Sequence, residues 1–147
     1  MEEQIGTDAL ATTSRTSTEV VDAERCLRAA PKCSVLVVDD DEGIRTALAE
    51  VLEILGYRVA VAADGEEAAE LLRFGLEPNA IVLDMMMPRM DGWTFLSQLR
   101  ADPKFHDVRV VVASAVLRER PAGADAWLQK PFEVSQLDSA VSRLCAH

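Results

Sequence analysis

Cysteine is scarce and unpatterned in this chain. Its three copies, Cys26, Cys33 and Cys145, are odd in number and form no CxxC pair, which argues against a secreted disulfide scaffold. A chain of 147 residues is long enough to bury roughly two thirds of its unfolded surface, so neither a disulfide nor a structural metal is needed to hold a fold. A reducing, cytoplasmic compartment is the expectation. Basic residues are also few: 15 Lys and Arg stand against 25 Asp and Glu, a formal charge of −10. Nucleic acid and anionic membrane surfaces repel such a chain, so neither is expected as a partner. Apolar runs are short, and none approaches the eighteen or so residues of a membrane span. The N-terminal stretch MEEQIGTDALATTSRTST is acidic and polar where a signal peptide is basic and then apolar. Histidine is limited to His106 and His147, far apart and without ligand-like spacing, so neither is expected to donate phosphate or bind metal.

What is present falls into two regions. Residues 1–32 are rich in Thr and Ser, with a weak helical stripe at Val20, Val21, Cys26 and Leu27 that Pro31 ends. They read as a flexible N-terminal extension leading into a short helix. From Cys33 onward, β-branched runs alternate with amphipathic segments. Ser34 to Val38 is apolar almost throughout, as a parallel strand covered on both faces must be. Further strands are expected at Tyr57 to Ala62, Ala80 to Leu83, Val108 to Ala113 and Ala126 to Gln129. Helices are expected at Asp41 to Leu55, closed by Gly56, and at Glu66 to Phe74, Trp93 to Arg100 and Glu133 to Cys145. Alternation of this kind predicts an α/β fold with a parallel sheet spanning residues 33–147.

Four of these strands end in a residue able to do chemistry: Asp39 and Asp40 after the first, Asp84 after the third, Ser114 after the fourth, Lys130 after the fifth. Open α/β sheets bind ligands outside the carboxyl ends of their strands, where strand order reverses. Neighbouring strands lie about 4.8 Å apart, so adjacency of the first and third would bring the acids together. Clustered carboxylates repel unless a hard divalent cation shares them, and Mg2+ suits oxygen ligands of this kind. Carboxylates, a cation, a lysine and a hydroxyl together describe a site for a phosphoryl group.

The motifs VLVVDDDEGIR, IVLDMMMPRMDGW, VVVASA and GADAWLQKPF, in that order, resemble the receiver domain of bacterial two-component response regulators, from Ser34 to about Leu144. The resemblance implies a doubly wound, flavodoxin-like, five-stranded sheet in the order 2-1-3-4-5. It implies that Asp84 is phosphorylated by a histidine kinase or a histidine phosphotransfer protein. Asp40 would bind Mg2+ directly, Asp39 chiefly through metal-bound water, Asp84 itself as a ligand, and Met86 through its backbone carbonyl. Ser114 would hydrogen-bond a phosphoryl oxygen, and Lys130 would pair with the phosphate. Pro131 would follow a cis peptide bond, and Trp127 would stand where the family often has a switching aromatic.

Blander readings stand beside these. Asp39 to Asp41 would also serve as caps of the following helix. Met85 to Met87 read as packing residues, Ser114 as an idle strand-end hydroxyl, Trp127 as core, and Cys145 as a small apolar residue. Lys130, one of only three lysines, has the stronger functional case.

Two other functions compete with a phosphoacceptor that signals to an unidentified downstream protein. A haloacid-dehalogenase-like phosphohydrolase also uses a strand-end Asp, Mg2+ and Lys, but needs a second acid where this chain has Met86. A receiver-like module acting without phosphorylation would have lost an acid or the lysine, and none is lost. With three residues after Leu144, no output domain is expected in the sequence given. One segment departs from the family pattern. Only eleven residues, AVLRERPAGAD, separate Ser114 from the fifth strand, while a parallel crossover with its helix needs a dozen or more. Pro121 and Gly123 shorten the usable length further, so the fourth helix is expected to be missing or reduced to one turn, and residues 115–125 to be mobile.

Overall fold

The computed structural model describes residues 33–146, and the readings made above for residues 1–32 lie outside them. Nine elements follow in the order β1 (Ser34–Val38), α1 (Glu42–Ile54), β2 (Arg58–Ala62), α2 (Gly65–Arg73), β3 (Ala80–Asp84), α3 (Gly92–Ala101), β4 (Arg109–Ser114), β5 (Ala126–Gln129) and α4 (Val134–Cys145). The strands form one parallel sheet in the order β2-β1-β3-β4-β5. The chain reverses direction across the sheet between β1 and β3, whose register pairs Val38 with Leu83.

Side-chain alternation sorts the strand residues onto two faces. Leu36, Val38, Ile81, Leu83, Val110 and Val112 pack with Ala68 and Leu72 of α2 and Phe95, Leu96 and Leu99 of α3. Val35, Val37, Val82, Val111 and Ala113 pack instead with Leu48 and Leu52 of α1 and Leu137, Ala140 and Val141 of α4. Both faces are therefore covered, which explains why these strands read as continuous apolar runs rather than alternating ones. Each helix is started by an acid. Asp41, Asp64 and Asp91 accept the backbone N–H of Ile44, Glu67 and Thr94, and Glu133 completes a capping box with Gln136. Such caps satisfy N–H groups that have no intrahelical partner.

One expectation needs correction. Cys33 and Cys145 are paired as a disulfide, with their Cα atoms 6.0 Å apart and a sequence separation of 112. Spacing gave no sign of it, because the two cysteines meet only through the fold, where α4 places its last residue beside the start of β1. Cys145 is thus not simply a small apolar residue. Residues 115–125 hold no helix, as their length required, and hydrogen bonds tie the segment near both ends. The Ser114 hydroxyl accepts the N–H of Val116 and Leu117 at 3.2 and 3.4 Å. Asp125 accepts the Val110 N–H at 2.8 Å and the Arg100 guanidinium at 3.0 Å, and Arg100 also donates to the carbonyls of Gly123, His106 and Val108.

Arg100 and Asp125 thus do for this segment what helix packing would otherwise do. Asp125→Ala is expected to lower stability by about 1–3 kcal/mol, since it leaves the Val110 N–H and a half-buried guanidinium short of an acceptor. Urea unfolding measures the loss. Hydrogen exchange should show the extra opening concentrated in residues 115–125.

Candidate functional site

The site stands at the carboxyl ends of β1, β3, β4 and β5. Past Val38, the Asp39 N–H continues the parallel ladder by donating to Ala62 O at 3.2 Å, which turns the Asp39 carboxylate into the sheet end, where it is 2% exposed. Asp40 beside it is exposed. Asp84 ends β3 and is 9% exposed. One carboxylate oxygen from each of Asp39, Asp40 and Asp84 lies within 4.8 Å of the others. The DDD run therefore divides its labour: Asp41 caps α1, while Asp39 and Asp40 turn toward Asp84.

Ser114 ends β4, fully buried, and its carbonyl accepts the Lys130 N–H at 2.9 Å. That bond extends the β4–β5 ladder by one residue and fixes where the lysine leaves the sheet. The peptide that follows, Lys130–Pro131, is cis. The Lys130 ammonium donates to Asp39 Oδ2 at 2.9 Å and lies 3.8 Å from Asp84 Oδ1. The Met86 N–H points back to Asp84 Oδ1 at 3.4 Å.

The acids share a partly desolvated pocket with too little positive charge. Burial is the main reason that the Asp84 carboxyl is pushed up from its ordinary 3.8 to about 6; Lys130 opposes the shift, and the charges of Asp39 and Asp40 add to it. Three carboxylates against one ammonium leave two negative charges uncompensated. A hard divalent cation would neutralise them, and the donor set, all oxygen, is that of Mg2+.

Some readings from sequence are refined by this geometry. Of the three adjacent methionines, Met85 is buried and Met87 packs against the core, but the Met86 side chain is 58% exposed and does no packing. Trp127 is half-buried against the core on the α2–α3 face. Its indole Nε1 has no hydrogen-bond partner among the described residues. His106 is on the surface beside Asp107, at 3.3 Å, and His147 lies outside the described residues. Sequence reading missed Arg45, which donates to the Asp39 carbonyl at 2.9 Å and braces the turn that carries the acids. A basic residue one turn into a helix that follows an acidic strand end is the pattern to look for. No helix among the described residues is long and apolar enough to cross a membrane.

The chain is similar to known proteins over most of its described length. A family model described as the response regulator receiver domain matches residues 35–142. Response regulator MprA of Mycolicibacterium vanbaalenii is 42% identical over 107 residues, 70% of this chain and 46% of MprA. The chain thus spans less than half the length of this curated relative. Among solved structures, response regulator TrrA of Thermotoga maritima, in complex with Mg2+ and BeF, matches with a TM-score of 0.69 and 30% identity over 76% of this chain and 98% of that one. The receiver domain of sensor histidine kinase PA1611 from Pseudomonas aeruginosa, with a magnesium ion in its active-site cleft, matches with a TM-score of 0.72 and 26% identity, covering 78% and 98%.

Proposed function

The chain belongs to the response regulator receiver domain family, and from that premise we propose that it accepts a phosphoryl group on Asp84 from a histidine kinase or a histidine phosphotransfer protein. The observation that carries the reading is the convergence of Asp39, Asp40 and Asp84 within 4.8 Å, with the Lys130 ammonium against two of them. Mg2+ in this cluster would neutralise the acids and the phosphoryl oxygens, leaving Asp84 free to act as nucleophile.

The roles of the side chains follow from where each stands. An Asp84 carboxylate oxygen forms the new O–P bond while the P–N bond to the donor imidazole breaks, and the imidazole nitrogen keeps the electron pair. Asp40 and Asp84 would hold the cation directly and Asp39 chiefly through metal-bound water, with the Met86 carbonyl as a further ligand. Lys130 moves its pairing from Asp39 toward the phosphate, since a charge-assisted bond to the new dianion is the stronger one. Ser114, whose hydroxyl now serves the backbone of residues 116 and 117, donates to a phosphoryl oxygen and so pulls on the β4–β5 segment. That pull gives a route from phosphorylation to a downstream protein. Turnover hydrolysis is disfavoured because the residue two positions after Asp84 is Met86, which supplies no acid or base. A cytoplasmic location belongs to the same proposal, and in that reducing compartment Cys33 and Cys145 would stand as adjacent thiols.

Incubation with acetyl phosphate and Mg2+ tests it. Intact mass should rise by one phosphoryl group, the rise should vanish with EDTA, and it should decay on denaturation in mild base, as an acyl phosphate does. A protein that gains no mass under these conditions contradicts the reading.

A further inference from the structure

The loop between β3 and α3 must present Met86 to the acidic cluster, yet nothing in the cluster holds the far side of that loop. We propose that Asp64 and Arg89 form a clamp that positions this loop, and thereby the Met86 backbone, for metal binding. The inference rests on the phosphoacceptor reading above and concerns residues that lie outside the cluster.

Arg89 has a φ of 63°, in the left-handed region that costs a non-glycine residue roughly 1–2 kcal/mol. Such a conformation persists only where surrounding contacts over-determine it. Here the contact is an ion pair: the Arg89 guanidinium meets Asp64 Oδ2, and its Nε lies 3.8 Å from Glu66 Oε1. Asp64 is fully buried, and its other oxygen accepts the Glu67 N–H at 2.8 Å. Burial alone would raise the Asp64 carboxyl, but the Glu67 N–H and the guanidinium outweigh it and hold the group below its usual range. One carboxylate thus caps α2 and fastens the loop to it.

Backbone contacts run alongside the ion pair. The Gly65 N–H donates to Met90 O at 3.2 Å, and the Met90 N–H closes the turn around Arg89 by donating to Pro88 O at 2.7 Å. A Cβ at residue 65 would stand 2.9 Å from Met90 O and 3.0 Å from Met90 Cγ, so only glycine lets the loop lie this close to α2. At the other end, the Gly92 N–H donates to Met85 O at 2.9 Å. Moored at residues 89–90 and again at 92, the loop has little freedom left at Met86, whose N–H already faces Asp84. Arg89 itself is 62% exposed, so its pairing with a buried acid is not a by-product of core packing. Supporting residues of this kind commonly set metal affinity by orienting the groups that touch the ion.

Arg89→Gly separates positioning from stability. It removes the guanidinium but also the left-handed penalty, so the thermal midpoint should stay within about 3 °C of wild type. The Mg2+ dissociation constant, followed by tryptophan fluorescence, should rise about tenfold, and the Met86 amide of the metal-free protein should exchange several-fold faster. Arg89→Lys should recover most of both effects, and Arg89→Gly should add nothing to Asp64→Asn. Wild-type Mg2+ affinity and Met86 exchange in Arg89→Gly would overturn the clamp. A wild type that binds no Mg2+ would instead overturn the phosphoacceptor reading; the Met86 exchange rate then decides the clamp alone, an unchanged rate refuting it.

Discussion

Gly92→Ala is expected to destabilise the domain by at least about 3 kcal/mol, more than any other single methyl group added to the site. Gly92 is the first residue of α3, and a Cβ there would come within 2.6 Å of Asp84 O, Met85 Cα and Met85 Sδ. Two of those atoms belong to the backbone, so no rotamer change relieves the clash. Relief requires α3 to move away from the end of β3, which uncovers Phe95 and Leu96, both buried in the core. The same movement displaces Asp84. Urea unfolding should show a lower midpoint at unchanged slope, and Mg2+ binding should weaken in whatever fraction remains folded. A variant that unfolds with the wild-type midpoint would show that the approach of α3 to β3 is looser than the structure has it.

Asp84→Asn is expected to act in the opposite direction, stabilising the metal-free protein at neutral pH. The folded-state Asp84 carboxyl titrates at about 6 against an ordinary 3.8, so folding favours its protonated form. The contribution of this group to stability is complete below about pH 4, falls as pH rises through 6, and is flat above. A shift of that size corresponds to roughly 2–3 kcal/mol. Asparagine carries no charge to penalise, so the melting temperatures of variant and wild type should be close near pH 4, diverge up to about pH 6, and keep a constant gap at pH 7 to 8. Saturating Mg2+ should close the gap by stabilising the wild type. A wild type that is the more stable of the two at pH 7.5 without metal would mean that Lys130 fully compensates the cluster, and that no charge deficit awaits a cation.

How far the sequence alone reached depended on whether a feature was local. The strands at Ser34, Ala80 and Arg109 were legible because two covered faces demand unbroken apolar runs, and Asp39, Asp84 and Lys130 stood out because each interrupts such a run. The missing helix between β4 and β5 was legible from chain length. Strand order came from family resemblance and not from the pattern itself. Boundaries shifted by a residue, with β3 extending through Asp84 and α2 starting at Gly65, since ladder and cap contacts rather than hydrophobicity decide them. The pairings Cys33–Cys145, Arg100–Asp125 and Asp64–Arg89 were not legible. Each joins residues from separate elements, and a charged or thiol side chain on a loop looks the same in sequence whether it meets water or a partner across the fold. Asp64 stands before a glycine, a pair that in sequence looks like any turn, and its role as both cap and clamp needs the loop after β3 to be in place.

The central claim is that Asp84 receives the phosphoryl group. Treating the phosphorylated protein with borohydride reduces an aspartyl phosphate to homoserine, and peptide sequencing by mass spectrometry then places the modified residue. The account predicts homoserine at position 84, absent when either Mg2+ or phosphodonor is left out, and no label in Asp84→Asn. Homoserine at position 39 or 40 instead, or equal labelling of the Asp84→Asn protein, would contradict it.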